Sequence, residues 1–462
     1  MPAVSATGRP YASWVPVTVT ALDRRIGALA VPALGTLAVE PLYVLVDTAI
    51  VGRLGTVPLG GVALASTVLV SAVWVFNFLA YGTTSRVAFL VGRGDPRAGA
   101  AVAVQGLWLS IAIGVPLAAA VALLARPLAS LLGGDGAVLD AAVTYLRISA
   151  VGIPAVLVAL VGNGYLRGLA DTRTPLVVVV VANAVNVVLE LAMVYGFDLG
   201  VAGSAWSTVA AQGLAAGWFF LLLRRGIVAT GAGAAADRVE LGLLLSAGRR
   251  LFVRTAALLA TVALATSVAA RLGTVALAGH HIALQIHLFL AMLLDALAVP
   301  GQILVATALG AGDGVGARVV GERLVRVGVA VGVVLGAGTL AVSGALPHLF
   351  TADAAVADRA TAALVVVAVA QVPSAIAFVL DGVLAGAADF GFLQWSLLGG
   401  LALFAPVGLA VAAWPRLGLV GLWGGLLAWM AYRATANLVR ARALGTRHGN
   451  GALGGAFPRQ PQ

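Results

Sequence analysis

Long, nearly uninterrupted apolar runs recur along the whole chain, and a run of roughly 20 apolar residues is what one helix needs to cross a bilayer. About twelve such runs can be counted, centred near Leu37, Val73, Ile113, Pro154, Val181, Gly213, Leu259, Met292, Val334, Val372, Leu403 and Ala428. Hydrocarbon offers the backbone no water to bond to, so each run is expected to close its own hydrogen bonds as a helix. Composition agrees, with 61% apolar and only 10% charged residues in 462. Soluble domains carry about 25% charged residues, and disorder requires low hydrophobicity and high charge. The expected fold class is an all-α integral membrane protein of twelve transmembrane helices. The absence of cysteine excludes disulfides, thiolate metal sites and cysteine nucleophiles.

The formal net charge is +10, and all 28 basic residues are arginine. In a soluble chain such a balance suggests nucleic acid. Here the arginines punctuate apolar runs, so the expected surroundings are a lipid bilayer and no nucleic acid. Twenty of the 28 arginines fall in one alternate set of loops and the tails, including Arg24, Arg25, Arg93, Arg97, Arg173, Arg224, Arg225, Arg249, Arg250, Arg318, Arg323, Arg440 and Arg442. The opposite loops hold five, Arg53, Arg126, Arg271, Arg359 and Arg416. Cytoplasmic loops carry the excess of basic residues, so a bacterial inner-membrane protein with both termini cytoplasmic is expected. The N-terminal segment reads as a short cytoplasmic tail and not as a signal peptide. Arg86, Arg147 and Arg254 fall inside runs and are expected to snorkel. Trp14, Trp74, Trp108, Trp218 and Trp414 read as interface anchors.

An internal repeat organises these runs. Arg53-Leu54-Gly55-Thr56-Val57 returns as Arg271-Leu272-Gly273-Thr274-Val275, and Gly92, Gly94 and Asp95 return as Gly310, Gly312 and Asp313. Asn163-Gly164 through Gly168 to Asp171 returns as Asp381-Gly382 through Gly386 to Asp389, and Gly203 returns as Gly421. All four blocks share one offset of 218 residues, whereas chance matches would scatter. The expected organisation is a cytoplasmic N-tail over 1–24, an N-lobe over 25–225 with helices 1–6, a cytoplasmic linker over 226–244, a C-lobe over 245–442 with helices 7–12, and a disordered C-tail over 443–462. Two parallel six-helix copies are the build of transporters that hold substrate between halves and alternate access.

Acids inside the runs are costly, about 2.5–3.5 kcal/mol each on insertion scales, and should face a cavity or a partner. They are Glu40, Asp47, Glu190, Asp295 and Asp381. Glu40 and Asp47 lie seven residues apart in span 1, on one helix face. Pro32 and Pro41 share that span and can kink it. Asn183, Asn186 and Glu190 form a polar stripe at i, i+3 and i+7 in span 5. Asn163 adds an amide and Thr208 a hydroxyl. Carboxylate, amide and hydroxyl oxygens suit a hard cation, which makes Asp47, Asn186, Glu190 and Thr208 a candidate Na⁺ site. The same carboxylates suit proton exchange. The offset pairs Asp47 with Ala265, Asn186 with Phe404 and Glu190 with Gly408, so only the first half keeps this set. The other reading is structural: Asp47 and Glu190 as a buried hydrogen-bonded pair, Glu40 as a support for the kink, and the asparagines as glue between helices. Asp295 and its repeat partner Asn77 line the cavity or serve packing, and Asp381 is read the same way.

His280, His281 and His287 cluster without an acid or cysteine at ligand spacing, and packing is the favoured reading. The chain has no phosphate loop and no catalytic triad. An enzyme is not expected, nor any cofactor beyond a coupling ion, H⁺ or Na⁺.

The stretch EPLYVLVDTAIVGRLG after Pro32, the run GNGYLRGLADTRTPL, the stripe NAVNVVLE and the block GVAGSAW together resemble the multidrug and toxic compound extrusion (MATE) family over about residues 20–440. Within it the chain looks like the DNA-damage-inducible F branch. The resemblance implies two pseudo-symmetric six-helix lobes opening as a V; a monomer is expected. It implies export of small organic, cationic or amphipathic compounds driven by H⁺ or Na⁺. It also implies that Asp47, Asn163, Asn186 and Thr208 form the N-lobe cation site, with Pro32 the proline that bends span 1. Glu190 stands where that site usually has aspartate. Glu40, Asn183, Asn77, Asp295 and Asp381 would line the substrate cavity. Sister branches carry a glutamate in span 7, where this chain has Arg254 and Thr255. Two further readings are a lipid-linked precursor or oligosaccharide flippase of the same superfamily, which should have more spans and an arginine-rich cavity, and a non-transporting scaffold or channel.

Overall fold

The computed structural model describes residues 19–443, without the side chains of Val19, Thr20, Glu40 and Trp74. Residues 1–18, the expected C-tail beyond 443, the Glu40 side chain, Trp14 and the Trp74 side chain lie outside the described residues. Packing divides these residues into two units, 31–248 and 19–30 with 249–443.

The first unit takes most of α1 (Val19–Gly52). It continues with α2 (Thr56–Trp74), a 3-10 turn at Val75–Asn77 and α3 (Phe78–Gly92), which together form one apolar stretch. Next come α4 (Pro96–Leu123), a short α5 (Ala125–Leu131), α6 (Gly136–Ala150) and α7 (Ile153–Gly168). Last are α8 (Arg173–Leu191), which runs into a π turn at Ala192–Gly196, and α9 (Gly200–Thr230). The first turns of α10 (Arg238–Arg271) also pack here. The second unit holds the rest of α10, α11 (Thr274–Gly310), α12 (Gly314–Val342), α13 (Ala354–Gly386), α14 (Phe390–Ala413) and α15 (Gly418–Arg442).

Among the described residues, ten helical stretches are long and apolar enough to cross a membrane, and eleven when the bent pair α6–α7 counts as one. The twelfth expected span is α15, a helix of 25 residues that carries Arg433, Arg440 and Arg442 and falls outside that set. Span 4, expected near Pro154, is bent by 50° between Ala150 and Ile153. Gly152 lies in the break and Pro154, at the start of α7, has no N–H to carry the ladder through. Its counterpart α13 is a single helix over 33 residues. The prolines of α1 do not break it: Val19–Gly52 is one helix, and the Thr36 hydroxyl donates to Pro32 O at 3.0 Å. Helices extend into the segments expected as tail and linker. α1 already begins at Val19, and only 231–237 separates α9 from α10. Gly231, at φ 65°, ends α9, and Asp237 Oδ1 accepts from Val239 N at 2.8 Å at the start of α10.

The repeated blocks fall on turns, caps and crossings. Gly94 and Gly312 take φ of 83° and 76°, a region that favours glycine. Asp95 and Asp313 then cap α4 and α12, accepting from Ala98 N at 2.9 Å and Gly316 N at 2.7 Å. Asp171 accepts from Thr174 N at 3.0 Å and Asp389 from Phe392 N at 3.3 Å. A β-carbon at Gly164 would stand 2.7 Å from Ala80 O, and one at Gly382 would meet the Ala298 carbonyl. Ala80 and Ala298 are themselves 218 residues apart. The offset is thus explained by backbone geometry and close helix approach.

Candidate functional site

α1, α8 and α9 bring the polar residues of the first unit together. Asp47 is buried, and its Oδ1 accepts from Ser204 Oγ at 3.0 Å. Ser204 O in turn accepts from Ser207 Oγ at 2.8 Å and Thr208 Oγ1 at 3.0 Å. The Thr208 hydroxyl lies 3.1 Å from Tyr43 Oη, and Asn186 Nδ2 donates to Tyr43 Oη at 3.3 Å. Glu190 is 0% exposed and neither of its carboxylate oxygens has a hydrogen-bond partner. It lies within electrostatic range of Asp47, as does the buried Tyr145. Asn186 Oδ1 is likewise buried and without a partner. Among the described residues no arginine or histidine pairs with Asp47 or Glu190. Two residues beyond Glu190 the helix passes into the π turn Ala192–Gly196, a feature frequent at functional sites.

Four of the five residues expected to couple a cation therefore meet, Asp47, Asn186, Glu190 and Thr208. Asn163 does not join them by any hydrogen bond, and its Oδ1 is buried without a partner on α7. Asn183 spends its amide on Val179 O at 2.8 Å within α8, a helix-internal bond. Asn77 closes the 3-10 turn before α3, and Asp295 lies half-buried on α11 with an interaction of its own. Ser204, Tyr43 and Tyr145 escaped the sequence reading. Seven-residue spacing from Glu40 to Asp47 was the visible signal, whereas Ser204 is 157 residues from Asp47 and only the fold pairs them.

The repeat partners of this cluster form a dry core. Ala265, Ala363, Phe404 and Leu422, which answer to Asp47, Tyr145, Asn186 and Ser204, are all buried in one apolar cluster with Trp423. His280 and His287 pack their rings on the same Trp423 at 5.6 and 5.8 Å.

The second unit carries its own polar cluster at other repeat positions. Asp381 Oδ2 accepts from Arg254 Nη2 at 2.6 Å and Arg433 Nη2 at 2.7 Å. Asn437 Nδ2 donates to Asp381 Oδ1 at 2.7 Å, and Ser396 Oγ donates to Asn437 Oδ1 at 3.1 Å. The Arg433 guanidinium lies 4.9 Å from the Trp429 ring centre, close enough for a cation–π contact. Arg254 thus does not snorkel: it spends its guanidinium on a buried carboxylate. Arg86 likewise pairs with Glu240 at 2.7 Å. Asp381 is held by three donors within its own unit, which departs from the cavity-lining expectation.

A bundle of membrane helices built twice, with carboxylates buried inside one repeat, is a build that transporters use. The chain belongs to the MatE family, whose model matches residues 32–192 and 253–408. It is a multi-pass membrane transporter and not an enzyme. Over 458 residues it is 35% identical to Protein DETOXIFICATION 44, chloroplastic, of Arabidopsis thaliana, covering 96% of this chain and 86% of that protein. It is 30% identical to the DNA damage-inducible protein F of Escherichia coli (strain K12), covering 90% and 91%. The fold matches that of a Vibrio cholerae MATE transporter, VcmN in the bent form, with a TM-score of 0.85 at 17% identity over 93% of this chain and 98% of that one.

Proposed function

We propose that this chain is a secondary active multidrug exporter, which moves small organic cations or amphipathic compounds out of the cell against inward H⁺ or Na⁺. The observation that carries the reading is the pair Asp47 and Glu190, buried in the first unit without a basic partner among the described residues. A buried carboxylate pair of this kind is stable when a cation or proton neutralises it. Substrate cation and coupling ion then compete for one set of oxygens, and transport needs only that the two conformations bind them differently. Asp47, Glu190, Asn186 and Thr208 hold the coupling ion in this reading, and Pro32 is the point at which α1 responds. Asn163, Glu40, Asn183 and Asn77 are assigned to the substrate-contacting surroundings of that site in the first unit, and Asp295, in the second unit, is assigned to substrate contact. Asp381 is assigned to the internal support of the second unit.

The arginine asymmetry supports cytoplasmic termini, and a bacterial inner-membrane location is part of this reading. The Arabidopsis relative is named as chloroplastic. The functional unit is taken to be a monomer.

Ethidium efflux from proteoliposomes, measured under an imposed pH gradient and then under an imposed Na⁺ gradient, tests the reading. Efflux driven by one gradient in wild type and lost in Asp47→Asn is the expected result. Equal efflux by wild type and Asp47→Asn would overturn the assigned site. No efflux under either gradient would point to a substrate of another class.

A further inference from the structure

The first turns of α12 carry two kinds of residue. Gly314, Ala317 and Gly321 recur at i, i+3 and i+7 and leave room beside the helix, while Arg318, Glu322 and Arg326 at i, i+4 and i+8 supply charge. All six line a groove of about 400 Å³ within the second unit. Its apolar wall is made by Val305 and Leu309 near the end of α11, Leu380 and Val383 on α13, and Leu438 on α15. Arg442, in the last turn of α15, completes it.

Three arginines thus face one acid. Glu322 bonds Arg318 Nε at 2.9 Å and is 4.0 Å from Arg326 Nη2. The Arg326 side chain remains 65% exposed, and Arg442 makes no ion pair among the described residues. The N-terminus of α12 is already capped by Asp313, so an incoming anion would rely on the guanidinium groups.

The first repeat treats the same place differently. The offset replaces Arg318, Glu322 and Arg326 by Ala100, Val104 and Trp108. There the segment between α9 and α10 lies over α4. Gln105 Nε2 donates to Ala235 O at 3.0 Å and accepts from Asp237 N at 2.8 Å, and Trp108 Nε1 donates to Ala234 O at 3.1 Å. In the second repeat the equivalent segment lies beyond residue 443, outside the described residues. The residues beyond 443 carry Arg447 and Arg459 and no acidic side chain, so their charge does not complement the groove.

We propose that the groove binds an anionic phospholipid. Its phosphate is held by Arg318, Arg326 and Arg442, and an acyl chain lies along Val305, Leu309, Leu380, Val383 and Leu438. Guanidinium groups match phosphate oxygens bidentately, and basic pockets between membrane helices bind acidic headgroups. A zwitterionic lipid would bring its ammonium group against the arginines. A free phosphate would leave the apolar wall wet.

The test uses the purified full chain in detergent, with lipid retention read by native mass spectrometry and unfolding temperature read in parallel. The probes are dioleoylphosphatidylglycerol, dioleoylphosphatidylcholine and inorganic phosphate. The expected result is saturable retention and stabilisation by phosphatidylglycerol alone. The double variant Arg326→Gln/Arg442→Gln should bind it about tenfold or more weakly, and Glu322→Gln should bind it more tightly. A gain in Glu322→Gln cannot come from misfolding. Equal effects of phosphatidylcholine, equal effects of phosphate, or unchanged binding in the double variant would each overturn the proposal. So would a phosphatidylglycerol effect that appears only when the chain is cut after Ala443, since the tail would then be the occupant.

Discussion

Ser204 on α9 donates its hydroxyl hydrogen to Asp47 on α1 across 3.0 Å. The second repeat has Leu422 and Ala265 at these two places, both inside an apolar core. The bond therefore marks where the two repeats part company. A hydrogen bond to a charged group is worth about 1.5–3 kcal/mol. Ser204→Ala should strengthen the apparent affinity for the coupling ion by about tenfold, because the lost donor had favoured the ion-free carboxylate, while efflux survives at saturating gradient. Ser204→Leu, which installs the second repeat's residue, should abolish coupled efflux. Ion-dependence curves for efflux in proteoliposomes compare the two.

Glu190 has both carboxylate oxygens buried and unbonded, so its charge is the costly part of the site. Glu190→Gln should fold at least as stably as wild type, because it removes a charge and keeps the shape. Its gradient-driven efflux should fall by at least tenfold. Glu190→Asp keeps the charge but draws it back by one methylene, and should retain efflux with a changed ion dependence. Unfolding temperature and efflux are measured on the same preparations.

Asp381 is shared by Arg254 and Arg433. Removing the common acid strands two guanidinium groups, and breaking a buried pair in this way costs about 3–5 kcal/mol. Asp381→Asn should therefore lower the unfolding temperature markedly. Arg254→Gln should do so less, since Asp381 keeps Arg433 and Asn437. Thermal unfolding in detergent ranks the two variants.

Gly382 packs its α-carbon against the Ala298 carbonyl, where a methyl group has no room. Overpacking of this kind costs about 1–3 kcal/mol. Gly382→Ala should destabilise, whereas Gly424→Ala, at an open position on α15, should not. The comparison needs only the two unfolding temperatures.

Ala170 and Ala388 hold φ of 59° and 54° just past the ends of α7 and α13, where glycine is the usual choice. A left-handed residue with a β-carbon costs about 1–2 kcal/mol. Ala388→Gly should raise stability by about 1 kcal/mol once the greater freedom of glycine in the unfolded chain is deducted. A rise in unfolding temperature without change in efflux checks it.

The apolar runs and the 218-residue offset were legible along the chain because both are local signals. Each run must close its own hydrogen bonds in lipid, and the repeated blocks can be matched along the chain whether they serve a turn and cap, as at Gly94 and Asp95, or a close helix approach, as at Gly164. Span 4 was harder to read. Its residues are apolar on both sides of Gly152 and Pro154, and hydropathy does not register a bend of 50°. The expectation that Arg254 snorkels failed for a related reason. Length and flanks describe the side chain's reach, but Asp381 lies 127 residues away.

Sequence by itself therefore determined that this chain crosses a membrane as helices, that it is built twice, and that Asp47, Asn186, Glu190 and Thr208 are out of place in an apolar run. Those facts follow from composition, period and the cost of burying charge, each of which acts along a single helix. Only the tertiary structure decided which of the polar residues meet, leaving Asn163 and Asn183 apart from the cluster and adding Ser204 and Tyr43 to it. It also decided that Asp381 belongs with Arg254 and Arg433. Hydrogen bonds and ion pairs between helices depend on distances of about 3 Å, and no spacing along the chain encodes a distance that small between residues more than a hundred positions apart.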